Sequence, residues 1–240
     1  MTGPGLFNRP LIGLVGGMSW HSTARYYRLL NEASETRRGG GSTVESLVYT
    51  LDFAPLFQLA SAGDWDGVAR HVGRAAESLE EAGARCVALT AVTAHRVFDG
   101  LAGALHVPCL HVLDPVGLFL RRSGCRRIGV LATRFAAGQD FFDDRLAQAG
   151  IGTVLRPAGD DQALIDAIIE TELTQGRVTA AARRTVDAVA GRLRARGAEA
   201  ILLACTELPL LYQGGPAPAD IVDAVALHVN ALLDHAEPMP

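Results

Sequence analysis

Short apolar runs of β type alternate along this chain with longer stretches of helical period, and no other feature restricts the fold as much. The runs are Leu11–Val15, Val44–Leu51, Cys86–Leu89, Cys109–Leu113, Arg127–Leu131, Gly152–Leu155 and Ala200–Leu203. Residues 65–82 place Val68, Val72, Ala75, Ala76 and Leu79 near a period of 3.6, and residues 178–195 do the same with Ala181, Val186, Val189 and Leu193. Both periodic stretches are followed by glycine, Gly83 and Gly197. Strands that alternate with helices predict an α/β fold with mainly parallel sheets.

The alternation also repeats. Residues 83–91 lie against 197–205 without a gap, and Ile12-Gly13-Leu14-Val15-Gly16 lies against Ile128-Gly129-Val130-Leu131-Ala132 at nearly the same displacement. Two pseudo-symmetric Rossmann-like lobes are therefore expected, lobe one from 1–113 plus 214–240 and lobe two from 114–213, with Pro115 and Gly214-Gly215-Pro216 as crossing points. Ligands of open α/β sheets bind at the carboxyl ends of strands, so a cleft between the lobes, lined by those ends, is the expected site.

Composition narrows the chemistry. All 22 basic residues are arginine, and no lysine occurs among the 240 residues. A pyridoxal Schiff base and a Walker-type phosphate loop both need lysine, so neither is available. The net charge of −4, with arginines spread along the chain, argues against nucleic acid or an anionic membrane as partner and for a small ligand. Met1–Pro10 lacks a signal pattern, no apolar stretch reaches membrane-spanning length, and a cytoplasmic protein is expected. The four cysteines have neither CxxC spacing nor the density of a disulfide scaffold, and no metal site is legible.

Cys205 ends an apolar strand before Thr206-Glu207, which predicts a sulfur at the mouth of the strand end, available as base or nucleophile. Cys86, Cys109 and Cys125 lie within or beside strands and read as small buried hydrophobes. Gly16-Gly17-Met18-Ser19 follows a strand and precedes a helix expected near Ser22, so its backbone N–H groups suit a carboxylate, although the same residues also make a plain tight turn. Thr93, Thr133 and Thr206 stand just past strand ends, as carboxylate donors or helix caps. His95 and His228 are proton relays or structural histidines.

The motifs Gly16-Gly17-Met18-Ser19-Trp20 with Ser22-Thr23 and Tyr26-Tyr27-Arg28-Leu29, Asp52-Phe53-Ala54, Gly63-Asp64-Trp65-Asp66-Gly67, Thr93-Ala94-His95, Gln139-Asp140-Phe141 and Cys205-Thr206-Glu207 together resemble the aspartate/glutamate racemase family, most closely its broad-specificity branch. The resemblance runs from about residue 11 to residue 230. It implies a homodimeric isomerase that works without cofactor and holds a small amino or carboxylic acid between two cysteines, one removing an α-proton and the other supplying one to the opposite face.

The Cys-Thr-Glu motif carries the second cysteine onto Cys205. The first falls in a Cys-Asn-Thr-x-His motif that here reads Ala91-Val92-Thr93-Ala94-His95, so its position is the methyl group of Ala91. The internal repeat independently sets Ala91 opposite Cys205 in register. By the same resemblance, His95 joins Cys205 as a catalytic candidate, and Met18, Ser19, Val92, Thr93, Thr133, Thr206 and Glu207 are substrate contacts. Val92 replaces an asparagine, Ala136 a threonine and Gln58 an arginine that would read an acidic substrate. Each lost polar contact removes about 1–3 kcal/mol of recognition, which weighs against ordinary aspartate or glutamate racemisation. Some relatives carry threonine at the first position, and a one-cysteine layout also resembles the arylmalonate decarboxylases. Three outcomes stay open: a racemase in which water or His95 replaces the lost base, a single-cysteine lyase, decarboxylase, isomerase or cyclase on a less acidic substrate, and a binding protein that has lost catalysis.

Overall fold

The computed structural model describes residues 11–137 and 140–236. The leader reading of Met1–Pro10 and the motif residue Gln139 lie outside them. Among the described residues are two four-stranded, fully parallel sheets. The first has the order β2-β1-β3-β4 and is built from β1 (Ile12–Gly16), β2 (Ser46–Thr50), β3 (Cys86–Leu89) and β4 (Cys109–Leu110). The second has the order β6-β5-β7-β8 and is built from β5 (Arg127–Leu131), β6 (Thr153–Leu155), β7 (Ala200–Leu203) and β8 (Ile221–Asp223). The two orders are the same walk, as the repeat requires. In both, the third strand pairs with the first from a matching start, Ile12 with Cys86 and Ile128 with Ala200.

The repeated glycine in the first strand of each unit has a packing cause. A Cβ on Gly13 would lie 3.1 Å from Leu79 Cβ, and a Cβ on Gly129 would lie 3.0 Å from Leu193 Cβ. Leu79 belongs to α3 (Trp65–Glu81) and Leu193 to α9 (Ala180–Ala195), the helices leading into β3 and β7. Glycine lets each helix close onto its sheet, burying Val72, Ala75 and Ala76 of α3 and Val186, Val189 and Ala190 of α9. Ala181, expected on this face, is exposed, and Ala182 is buried in its place. Gly83 and Gly197 follow these helices at φ of 96° and 94°, the left-handed conformation that terminates a helix at little cost for glycine alone.

The chain divides into two compact units, residues 1–111 with 228–240, and residues 112–227. The return to the first unit comes later than the expected 214, because Ile221–Asp223 pairs in register with Ile201–Leu203 and holds the preceding loop in the second unit. The outward crossing also shifts. The expected strand to Leu113 stops at Leu110, and Leu113 starts α5 (Leu113–Arg122).

Inside unit one is a buried histidine cluster. His228, on α10 (Ala224–Ala236), aims Nε2 at the Leu110 carbonyl 3.0 Å away, which can only accept, so Nε2 carries the proton and Nδ1 accepts the Tyr26 O–H at 2.9 Å. Burial first, then the charge of His95, pushes the His228 pKa down to about 3. The unfolded chain, with a histidine near ~6.5, therefore takes up this proton before the folded one does. The contribution of His228 is fully present above about pH 6.5 and drains at roughly 1.4 kcal/mol per pH unit as pH falls toward the folded value. Tyr26→Phe leaves Nδ1 without that donor, and we expect a loss of about 1–3 kcal/mol in urea unfolding at pH 7.5.

Candidate functional site

The carboxyl ends of β1 and β3 carry the site residues of unit one. Gly17 has φ +85° because the turn passes against Leu51, and a Cβ there would lie 2.0 Å from the Leu51 carbonyl oxygen. Gly17→Ala is therefore expected to destabilise by more than about 3 kcal/mol or to prevent folding, which thermal unfolding measures. Ser19 follows at φ 118°, the only non-glycine in that region among the described residues, and caps α1 (Trp20–Arg38) by accepting the Ser22 N–H at 3.4 Å. The helix thus starts two residues before the expected Ser22. A strained backbone held by its surroundings is a common mark of a binding turn. Met18 and Ser19 are both partly exposed there.

Hydroxyls bolt this turn to the end of β3. Thr23 Oγ1 accepts the Gly17 N–H at 2.9 Å and lies 3.1 Å from Thr90 Oγ1, and Ser22 Oγ donates to the Thr90 carbonyl at 2.8 Å. Thr90 is fully buried and also donates to the Val15 carbonyl at 3.2 Å, so its side chain is turned inward. Ala91 is partly exposed and Val92 is buried. Thr93 begins the short 3-10 helix Thr93–Val97, which has no side-chain cap.

His95 is 2% exposed. Its Nδ1 lies 3.0 Å from the Ala91 carbonyl and 3.3 Å from that of Val92, so that nitrogen bears the proton and donates to both. The ring stacks on Phe98 and meets His111 edge-on at 4.6 Å. His95 is thus an internal group tied to the turn that carries Ala91.

Unit two places its candidates at the ends of β5 and β7. Cys205 stands two residues beyond β7, as Ala91 stands two beyond β3. The expectation of a sulfur at an open strand mouth is corrected: Cys205 is 6% exposed and packs with Leu131, Ile201, Leu203, Leu208 and Leu211. Its Sγ donates to Glu207 Oε2 at 3.3 Å, and Thr206 Oγ1 donates to the same oxygen at 2.5 Å. Burial, and after it the Glu207 charge, raise the thiol well above the ordinary range, the reverse of the activation expected from sequence. The resting group is therefore a protonated thiol with its hydrogen on a carboxylate. Thr133 is partly exposed, and its carbonyl accepts the Ala136 N–H at 2.9 Å. Cys86 and Cys109 behave as inert thiols, pushed by burial to about 11 and about 12.

Two residues of unit two escaped the sequence reading. Asp166 Oδ1 accepts the Arg134 N–H at 3.0 Å, and Gln162 Nε2 donates to the Ala132 carbonyl at 2.9 Å. The available signal was an aspartate interrupting the apolar face made by Ile165, Ile168 and Ile169. Among the described residues no group of three or more histidine, cysteine or acidic side chains could hold a metal.

Among the described residues, two parallel α/β units with the same strand order define the class of fold. The chain belongs to the Asp/Glu/Hydantoin racemase family, which it matches over residues 15–232. It is 34% identical to a candidate Asp/Glu racemase from Yersinia pestis, over 95% of this chain and 99% of that one, with a TM-score of 0.84. An aspartate racemase homologue from Pyrococcus horikoshii is 29% identical over 94% of this chain and 98% of its own, with a TM-score of 0.83. The aspartate racemase of Picrophilus torridus, 20% identical over 95% and 94% with a TM-score of 0.75, shares the fold. Among the described residues no helix is long and apolar enough to cross a membrane.

Proposed function

We propose that this racemase-family enzyme moves a proton at the carbon α to a carboxylate of a small amino or carboxylic acid, on one face only, with the Cys205 thiol as its acid/base group. The observation that carries this reading is the thiol–carboxylate pair of Cys205 and Glu207, set against a methyl group at the equivalent position of unit one. Proton transfer from a positioned group is worth about 10²–10⁴-fold in rate. A resting thiol has two balanced courses. It yields its proton to Glu207 and then takes one from the substrate as a thiolate, or it donates directly to a carbanion and is restored through Glu207.

The raised thiol favours the second course, in which substrate decarboxylation or another bond cleavage leaves an enolate that Cys205 protonates. Met18, Ser19, Val92, Thr93, Thr133 and Thr206 are the proposed substrate contacts, and His95 holds the Ala91–Val92 turn. The reading includes a cytoplasmic homodimer. Exposed Trp20, Tyr27, Tyr49, Phe53 and Phe57 of unit one support a self-associating surface, so sedimentation is expected to give twice the chain mass.

The test is solvent exchange in heavy water with a panel of amino acids and α-substituted malonates. Deuterium entering the α-carbon of one panel member in a single configuration supports the reading. No incorporation with any member overturns it.

A further inference from the structure

We propose that Asp166, with Gln162 one helical turn before it, is the positioning residue that sets Thr133 for a substrate carboxylate; this rests on the reading of Thr133 as a substrate contact given above. Among the described residues only two carboxylates are buried, Asp166 and Glu207, and both belong to unit two. Glu207 serves the thiol. Asp166 lies on α8 (Gly159–Thr171) between Ile165 and Ile168, where burying a carboxylate is costly unless hydrogen bonds compensate it.

Its Oδ1 accepts the Arg134 N–H at 3.0 Å and the Gln162 amide at 3.2 Å, and the same Gln162 nitrogen donates to the Ala132 carbonyl at 2.9 Å. One side chain therefore grips the residue before Thr133 and the other grips the residue after it. Thr133 itself is left partly exposed. Unit one fixes its corresponding turn differently, through the Thr23 and Thr90 hydroxyls described above, so this acidic clamp is particular to unit two. A carboxylate accepting a backbone N–H makes a stronger hold than a neutral acceptor does, which suits a turn that must not yield when an anionic ligand arrives.

The test compares Asp166→Ala and Asp166→Asn with the unaltered chain by amide NMR. Asp166→Ala is expected to speed hydrogen exchange at the Arg134 amide at least tenfold while α9 keeps its protection. Asp166→Asn, which retains an acceptor oxygen, should stay within about threefold of the unaltered chain. L-alanine and succinate serve as probe carboxylates, one of which is expected to shift the Thr133 amide. Its affinity should fall about tenfold in Asp166→Ala and recover in Asp166→Asn.

Unchanged Arg134 exchange in Asp166→Ala overturns the clamp. No Thr133 shift with either probe, or equal affinity in Asp166→Ala and the unaltered chain, overturns its role in binding. Turnover is not read here, so failure of the Cys205 chemistry is detected separately by deuterium incorporation.

Discussion

Cys205→Ala is expected to lower turnover by about 10³-fold, a loss of roughly 4 kcal/mol in transition-state stabilisation. The sulfur sits where the end of β7 brings a thiol, a hydroxyl and a carboxylate together. Its proton rests on Glu207, and Thr206 donates to the same oxygen. Unit one has no thiol at the matching place. The Thr90 hydroxyl is spent on Thr23 and Val15, and the His95 Nδ1 proton on the Ala91 and Val92 carbonyls. Removing the thiol therefore removes the proposed acid/base group itself. Single-turnover kinetics on whichever panel member exchanges its α-hydrogen measure the loss. Cys205→Ser keeps the shape with a hydroxyl far less acidic than a thiol, and should lose nearly as much. Thermal unfolding of both variants close to that of the unaltered chain separates a chemical effect from a folding defect.

The opposite change adds function. Ala91→Cys is expected to raise the rate of inversion at the α-carbon by at least 10²-fold, because it restores a proton-transfer group at the matching position of unit one. The neighbouring backbone is already held, since the Thr90 carbonyl accepts from Ser22 and the Ala91 carbonyl from His95. Ala91 is partly exposed, so the added sulfur does not have to enter a filled core. Chiral chromatography of the recovered amino acid reads the inversion. Ala91→Ser, of similar size but unable to exchange a proton readily at neutral pH, should give no such gain.

The sequence disclosed the centre of each sheet better than its edges. Cys86–Leu89, Arg127–Leu131 and Ala200–Leu203 fall where the apolar runs put them, because central parallel strands are covered on both faces and read as unbroken apolar segments. β4 lost the end of its expected run to α5. β8 was missed because Ile221–Asp223 is three residues long and follows a loop rich in glycine and proline, where no periodicity can build up. That one short strand also moved the boundary between the units.

The site divides along a similar line. Cys205, Thr206 and Glu207 are adjacent in sequence, so a local motif exposes them together. Asp166 lies 32 positions from the Arg134 amide that it holds, and no local pattern announces such a contact. The state of the thiol was also hidden, because it depends on Leu208 and Leu211 after the motif and on Ile165, Ile168 and Ile169 of α8, all gathered into one cluster by the fold.

One-sided chemistry on the Cys205 thiol is tested most directly by following configuration and deuterium content together in heavy water. The α-carbon of a responsive substrate or product is predicted to gain solvent deuterium in one configuration with the unaltered enzyme, and about 10³-fold more slowly with Cys205→Ala. Deuterium entering both configurations at equal rates with the unaltered enzyme, or incorporation that persists undiminished in Cys205→Ala, would contradict it.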